Sequence, residues 1–142
     1  MTLPSNPKIG VSVALLNDRD EVLMGKRIGF GEGVWSFTGG KLEFKHGESV
    51  ADCAYREVLE ETGIAMDTKS LYPSQWTVGR LDPSFIVLYL ICTKWSGKPI
   101  NREPDKCSGW QWFNVLDKLP QPNWICPMML TELEHYCNRD GV

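Results

Sequence analysis

The stretch GGKLEFKHGESVADCAYREVLEETGI, Gly39 to Ile64, decides how the rest of this 142-residue chain is read. Ser49 followed by Asp52 is a capping pair, and Gly63 supplies a residue able to end a helix in the left-handed conformation. The spacing therefore predicts a helix over Ser49 to Thr62. Ala51, Ala54, Tyr55 and Val58 form its expected core-facing stripe. Glu57, Glu60 and Glu61 fall at spacings i, i+3 and i+4, within about a 100° arc of one face. Carboxylates crowded in this way repel one another, and near the helix C-terminus the dipole disfavours them as well. One reading is a solvated acidic face with Arg56 paired to Glu60. The other is a cation site: a glycine loop brings backbone carbonyls close, and hard carboxylate oxygens suit Mg²⁺, which keeps room for waters and phosphates.

Around this unit the pattern is mostly that of strands. Ile9 to Leu16 alternates Ile9, Val11, Val13 and Leu15 with Gly10, Ser12 and Ala14, predicting a strand with one well-filled face. The turn cluster Asn17 to Asp20 makes Val22 to Met24 its expected hairpin partner, followed by a loop containing Gly29, Gly31 and Gly33. Further strands are expected around Gln75 to Val78, Ser84 to Thr93 and Trp110 to Phe113, with a terminal helix at Met128 to Tyr136. This order argues for an α+β architecture rather than regular β-α alternation.

Composition narrows the function classes. With 42% hydrophobic and 23% charged residues, the chain is of the ordinary globular kind, and its length suits one domain spanning residues 1–142. Fifteen basic against 18 acidic residues give a net charge of −3, which disfavours coating nucleic acid or an anionic membrane. The five cysteines show no C-x-x-C pair, so reduced thiols are expected. Met1 to Lys8 has no apolar run of a signal peptide, and no stretch has the length of a membrane span. A cytoplasmic protein is the resulting expectation.

The segment from Gly40 to Ile64 resembles the signature of the Nudix hydrolases, G-x5-E-x7-R-E-U-x-E-E-x-G-U, where U is a bulky apolar residue. From Glu48 through Ile64 the match is complete, with Val58 and Ile64 at the apolar positions. Two departures stand out. Seven residues rather than five separate Gly40 from Glu48, so Phe44-Lys45-His46-Gly47 reads as a loop with a two-residue insertion; and Thr38 replaces the usual proline before the glycine pair. The resemblance implies a Nudix fold, a mixed β-sheet sandwiched between α-helices, and hydrolysis dependent on Mg²⁺ or Mn²⁺. It implies Glu57 and Glu61 as metal ligands, Glu60 as a further ligand or water-positioning base, and Arg56 as the group orienting the carboxylates. Glu48 supports the cluster, the Gly39 carbonyl joins the metal site, and Glu103, in preference to Asp105, is the candidate for a late carboxylate that joins it from a loop, as against a solvated loop acid.

Outside the signature, Gly25-Lys26-Arg27, Trp35 to Gly40, Glu103 to Lys106 and Gly109 to Phe113 look like the MutT-like nucleoside triphosphate diphosphatases, including those that act on oxidised purine nucleotides such as 8-oxo-dGTP. That likeness makes Arg27, or Lys26, a phosphate-contacting cation as against an exposed strand-end arginine. It makes Asn123 a reader of the base edge as against a turn asparagine. Phe37 and Trp76 are candidates to sandwich a base, or else core aromatics. His46 is expected to be exposed, and Cys53 either lines the pocket or is a small buried residue. The implied partner is a nucleotide, with no stable nucleic-acid binding, in a monomer or homodimer. Alternative substrates are nucleotide sugars, dinucleoside polyphosphates, dihydroneopterin triphosphate and capped RNA; the remaining alternative is a non-catalytic nucleotide-binding domain.

Overall fold

The computed structural model describes residues 8–43, 46–79 and 82–138. The amino-terminal residues before Lys8, and Phe44 and Lys45 of the inserted loop, lie outside the described residues.

Strand β1 (Lys8–Leu15) is the axis of the molecule. It pairs in parallel with β7 (Phe85–Cys92) on one side and antiparallel with β4 (Thr38–Lys41) on the other; β6 (Tyr72–Val78) completes this mixed sheet, in the order β4-β1-β7-β6. A second, antiparallel sheet has β2 (Glu21–Arg27) between β3 (Val34–Ser36) and β9 (Cys107–Asn114). The short strands β5 (Ala65–Met66) and β8 (Trp95–Ser96) pair with each other.

Helices α1 (Val50–Thr62) and α2 (Pro127–Asn138) pack on opposite faces. The strand period of two assigns residues to each face. Val11, Val13, Leu15, Leu90 and Cys92 join Cys53, Ala54 and Val58 of α1 in one core cluster. Ala14, Tyr89 and Ile91 join Met129 and Leu133 of α2 in the other. Helices thus sandwich the strands, as the α+β expectation required.

Three sequence expectations are corrected by the packing. Val22 to Met24 does not form a ladder with β1: the chain turns tightly at Asn17–Asp20 and makes a single bridge, Leu16 to Val22. Both edges of β1 are already taken by β4 and β7, so β2 diverges into the other sheet. Likewise β1 has two buried faces rather than one, with Val13, Ala14 and Leu15 all fully inaccessible. In α1, Tyr55 of the expected core stripe is exposed, and the helix instead buries Cys53, Ala54, Val58, Glu61 and Thr62.

The capping reading of α1 holds in detail. The Asp52 amide donates to Ser49 Oγ at 3.0 Å and the Ser49 amide to Asp52 Oδ2 at 3.4 Å, while Gly63 ends the helix at φ 77°. Such a cap contributes about 1 kcal/mol, and burial of Val58 about 1.5–3 kcal/mol, so the helix is held in place from its N-terminus and its underside. Among the described residues, no helix is long and apolar enough to cross a membrane. All five cysteines are free.

Candidate active site

Helix α1 carries its carboxylates to the edge strand β4, where the glycine pair leaves room for them. A side chain at Gly40 would collide with the Glu57 carboxylate. At Gly39, φ is 155° and a Cβ would run into the Val11 carbonyl of β1, so only glycine fits there. The Gly39 amide donates to Glu61 Oε1 at 2.8 Å.

Glu61 is buried at 3% exposure, which its place in the acidic arc did not reveal. Its other oxygen faces Arg27 Nη1 at 3.4 Å. Burial pushes the Glu61 carboxyl up to about 8, against the opposing pull of the Gly39 amide and Arg27; Glu57 and Glu103 push it further the same way. Burial raises Glu57 as well, with Arg56 opposing and Glu60 and Glu103 adding to the rise.

Arg56 organises the N-terminal half of the cluster. Its Nε and Nη2 donate to the two Glu48 oxygens at 2.6 and 2.9 Å, a bidentate fork, and its Nη1 donates to Glu57 Oε1 at 2.8 Å. Nη2 also reaches the Lys41 carbonyl at 3.2 Å, tying the helix to β4. The fork holds the Glu48 carboxyl down to about 2 and raises the guanidinium in turn. Glu60 is half exposed with Oε2 3.5 Å from Arg56 Nη1, so the simple i,i+4 pair exists beside the network. Glu48 also accepts from the Glu43 amide at 3.0 Å, closing the inserted loop at its base; His46 in that loop is exposed.

Among the described residues, no three histidine, cysteine or acidic side chains converge into a ready-made metal cage. The donor set nevertheless fits a hard divalent ion bound by few protein ligands: Glu57 and Glu61 are crowded, half to fully buried carboxylates whose charge Arg27 and Arg56 only partly offset. Glu103 lies close enough to act on both, and pairs with Lys106 at 3.6 Å. Gly39 contacts the cluster through its amide.

On the face of the sheet opposite α1 lies a cavity of about 430 Å³. Arg27, Phe37, Gly39 and Gly40 line it at the carboxylate side, with Val87, Tyr89, Trp124 and Ile125 around it and Thr77 and Asp82 on the side of β6. The expected aromatic sandwich is not formed: Phe37 lines the cavity, but Trp76 is two-thirds exposed and its neighbour Thr77 takes the inward position. Asn123 is also placed differently. Its Nδ2 donates to the Pro120 carbonyl at 2.9 Å and its Oδ1 accepts from the Ile125 amide at 3.1 Å, so both halves of the amide shape the loop that presents Trp124 and Ile125. Cys53 is fully buried, and burial pushes its thiol up to about 12.

Tyr89 and Trp124 escaped the sequence reading. The Tyr89 hydroxyl donates to the Trp124 carbonyl and accepts from the Cys126 amide, each at 3.3 Å, fastening that loop over the cavity. Strand parity groups Tyr89 with Val87, but nothing local marks that face as the one carrying a cavity.

The NUDIX domain family model matches residues 6–126. The chain belongs to the Nudix hydrolase family. The crystal structure of a MutT NUDIX hydrolase from Burkholderia pseudomallei superposes with a TM-score of 0.73 at 28% identity, covering 92% of this chain and 98% of that one. The NAD-capped RNA hydrolase NudC of Pseudomonas putida is 34% identical over 122 residues, covering 84% of this chain. This chain spans 42% of the length of that relative. An oxidized purine nucleoside triphosphate hydrolase of Mus musculus is 43% identical over 58 residues, 40% of this chain and 36% of that protein. The chain is thus a Nudix domain similar to both MutT and NudC relatives, and Nudix hydrolases generally use divalent metal ions.

Proposed function

We propose that residues 1–142 form one Nudix domain that hydrolyses purine nucleoside triphosphates, oxidised deoxynucleotides included, to the monophosphate and pyrophosphate with Mg²⁺. The observation that carries this reading is a shared wall. Arg27, Gly39 and Gly40 line the cavity and also contact the Glu57 and Glu61 carboxylates, so a base in the cavity has its phosphate chain directed at the acidic cluster. The cavity is of the size that encloses a small organic ligand.

In this reading Glu57, Glu60, Glu61 and the Gly39 carbonyl hold the ion, with Glu103 joining from its loop; Mn²⁺ suits the same oxygens. When bound, the ion offsets charge on the phosphates and activates water near neutral pH. Arg27 contacts phosphate, Arg56 keeps Glu57 aimed, and Glu60, exposed beside the cluster, positions the attacking water. Phe37 packs on the base and Asn123 keeps the covering loop in shape. Trp76 lies outside this set. Free thiols fit a reducing compartment, and we place the enzyme in the cytoplasm as a monomer or homodimer.

The similarity to NudC over 122 residues favours a second reading, in which the substrate is a dinucleotide pyrophosphate such as an NAD-type cap. One assay separates the two: product release from canonical and oxidised nucleoside triphosphates, dinucleotides and nucleotide sugars with Mg²⁺ or Mn²⁺. Monophosphate and pyrophosphate from purine triphosphates are the expected products. Cleavage of dinucleotides with triphosphates left intact overturns the first reading in favour of the second.

A further inference from the structure

We infer that Gly10 sets the depth of the cavity and makes the enzyme selective for purine over pyrimidine nucleotides. This rests on the reading of the cavity as a base pocket.

Strand glycines near the site mostly have a reason internal to the protein. Gly39 and Gly40 make way for Val11 and Glu57, and at Gly25 a Cβ would strike the Trp110 indole at 2.7 Å. Gly10 has no such reason. It lies inside β1 without a positive φ, and a Cβ there would meet Phe85 Cδ1 at 3.7 Å, Val87 Cγ2 at 3.8 Å and the Gly40 carbonyl at 3.9 Å, all ordinary contact distances. The protein would accept a side chain at this position. A glycine in a strand interior often marks a bulge, a bend or the close approach of a ligand or another backbone, and β1 keeps its register through Gly10 on both edges.

The position of Gly10 in the sheet says which part of the ligand it accommodates. Gly10 pairs with Lys41 of β4 on one side and Val87 of β7 on the other, and Val87 pairs with Thr77 of β6. All four residues line the cavity. They form one row across four strands, about 14 Å at three strand spacings, with a trough where Gly10 lacks a side chain. A Cβ at Gly10 points into the cavity, since its neighbours there are the lining side chains of Phe85 and Val87. The trough gives a flat two-ring base room that a one-ring base leaves unfilled.

The test compares Gly10→Ala and Gly10→Val with the parent on matched purine and pyrimidine triphosphates. One added methylene in a pocket changes discrimination by about 10–200-fold, so the purine-to-pyrimidine ratio of kcat/KM is expected to fall at least about 10-fold in Gly10→Val, mainly through KM, and by less in Gly10→Ala. An equal change for both base classes, or none, overturns the inference. Where Gly10→Val melts below the assay temperature, Gly10→Ala, whose methyl has space, decides the matter. Binding of GMP and CMP, followed by tryptophan fluorescence, tests the role of Gly10 independently of cleavage. If the parent cleaves no triphosphate, the proposed function fails, yet selective loss of GMP binding in the variants still supports the role of Gly10. If GMP does not bind the parent, or binds parent and variants alike, that role is refuted.

Discussion

The Glu57 carboxylate occupies the space that a side chain at Gly40 would need. This contact joins the acidic helix to the edge strand, and it explains why a glycine stands at a position whose φ places no demand for one. Gly40→Ala is expected to displace Glu57 and lower kcat by about 10²-fold, the scale of a misplacement near 1 Å. Steady-state kinetics with a parallel thermal melt check it; a folded variant with parental kcat would remove Glu57 from the machinery.

Glu61→Gln keeps the shape and the Gly39 hydrogen bond while removing the capacity to ionise when a cation binds. Turnover is expected to fall by about 10²–10³-fold, as when one preorganised electrostatic group is deleted. Isothermal titration with Mn²⁺ should show weakened binding in the same variant. Unchanged metal affinity and unchanged rate together would exclude Glu61 as a ligand.

The Arg56 fork holds the Glu48 carboxyl near 2, below its ordinary 4.5. A depressed carboxyl contributes stability that is complete above the unfolded value and is lost as pH falls toward the folded one. Parental stability should therefore drop between pH 4.5 and 2, and Glu48→Gln should flatten that limb. Urea unfolding across this range reads the effect, and parallel curves for the two proteins would contradict it.

Trp110 lies on Gly25 and donates its indole N–H to the Glu61 carbonyl at 3.3 Å, while Arg102 Nη1 donates to the Leu59 carbonyl at 3.2 Å. At the C-terminal end of α1, where a helix runs short of donors for its carbonyls, these bonds add to the Gly63 amide on the Leu59 carbonyl and the Arg102 amide on the Glu61 carbonyl. Trp110→Phe retains the ring and should cost about 1 kcal/mol in urea unfolding. Faster hydrogen exchange at Gly63, whose amide closes the helix, would locate the loss; an unaltered exchange rate would place it elsewhere.

Asn123→Ala frees the Pro120 carbonyl and the Ile125 amide. The loop carrying Trp124 should loosen, raising KM by a similar factor for every base. A change in the ranking of bases in a nucleotide panel would instead mean that the asparagine reads the base edge directly.

Helix α1 was legible from its residues because each of its determinants is local. The Ser49–Asp52 cap, Gly63 and the i, i+3, i+4 spacing of the carboxylates act within a few turns of one helix, and the resemblance of Glu48 to Ile64 to the Nudix signature follows from the same positions. The longer strand segments were legible too, since the alternation along β1 and the apolar and aromatic runs of β7 and β9 depend on neighbouring residues; Thr38 to Lys41, read as a glycine loop, is instead strand β4, because it pairs with β1. Partnership was a different matter. A strand offers two edges and two faces, and no nearby residue states that β7 and β4 will claim both edges of β1 and leave β2 to another sheet. The burial of Glu61, the inward turn of Thr77 in place of Trp76, and the engagement of Asn123 with its own loop all arise from residues distant in the chain. So does the cavity, which exists because Gly10, Gly40, Val87 and Tyr89 meet across strands whose order is set by long-range pairing.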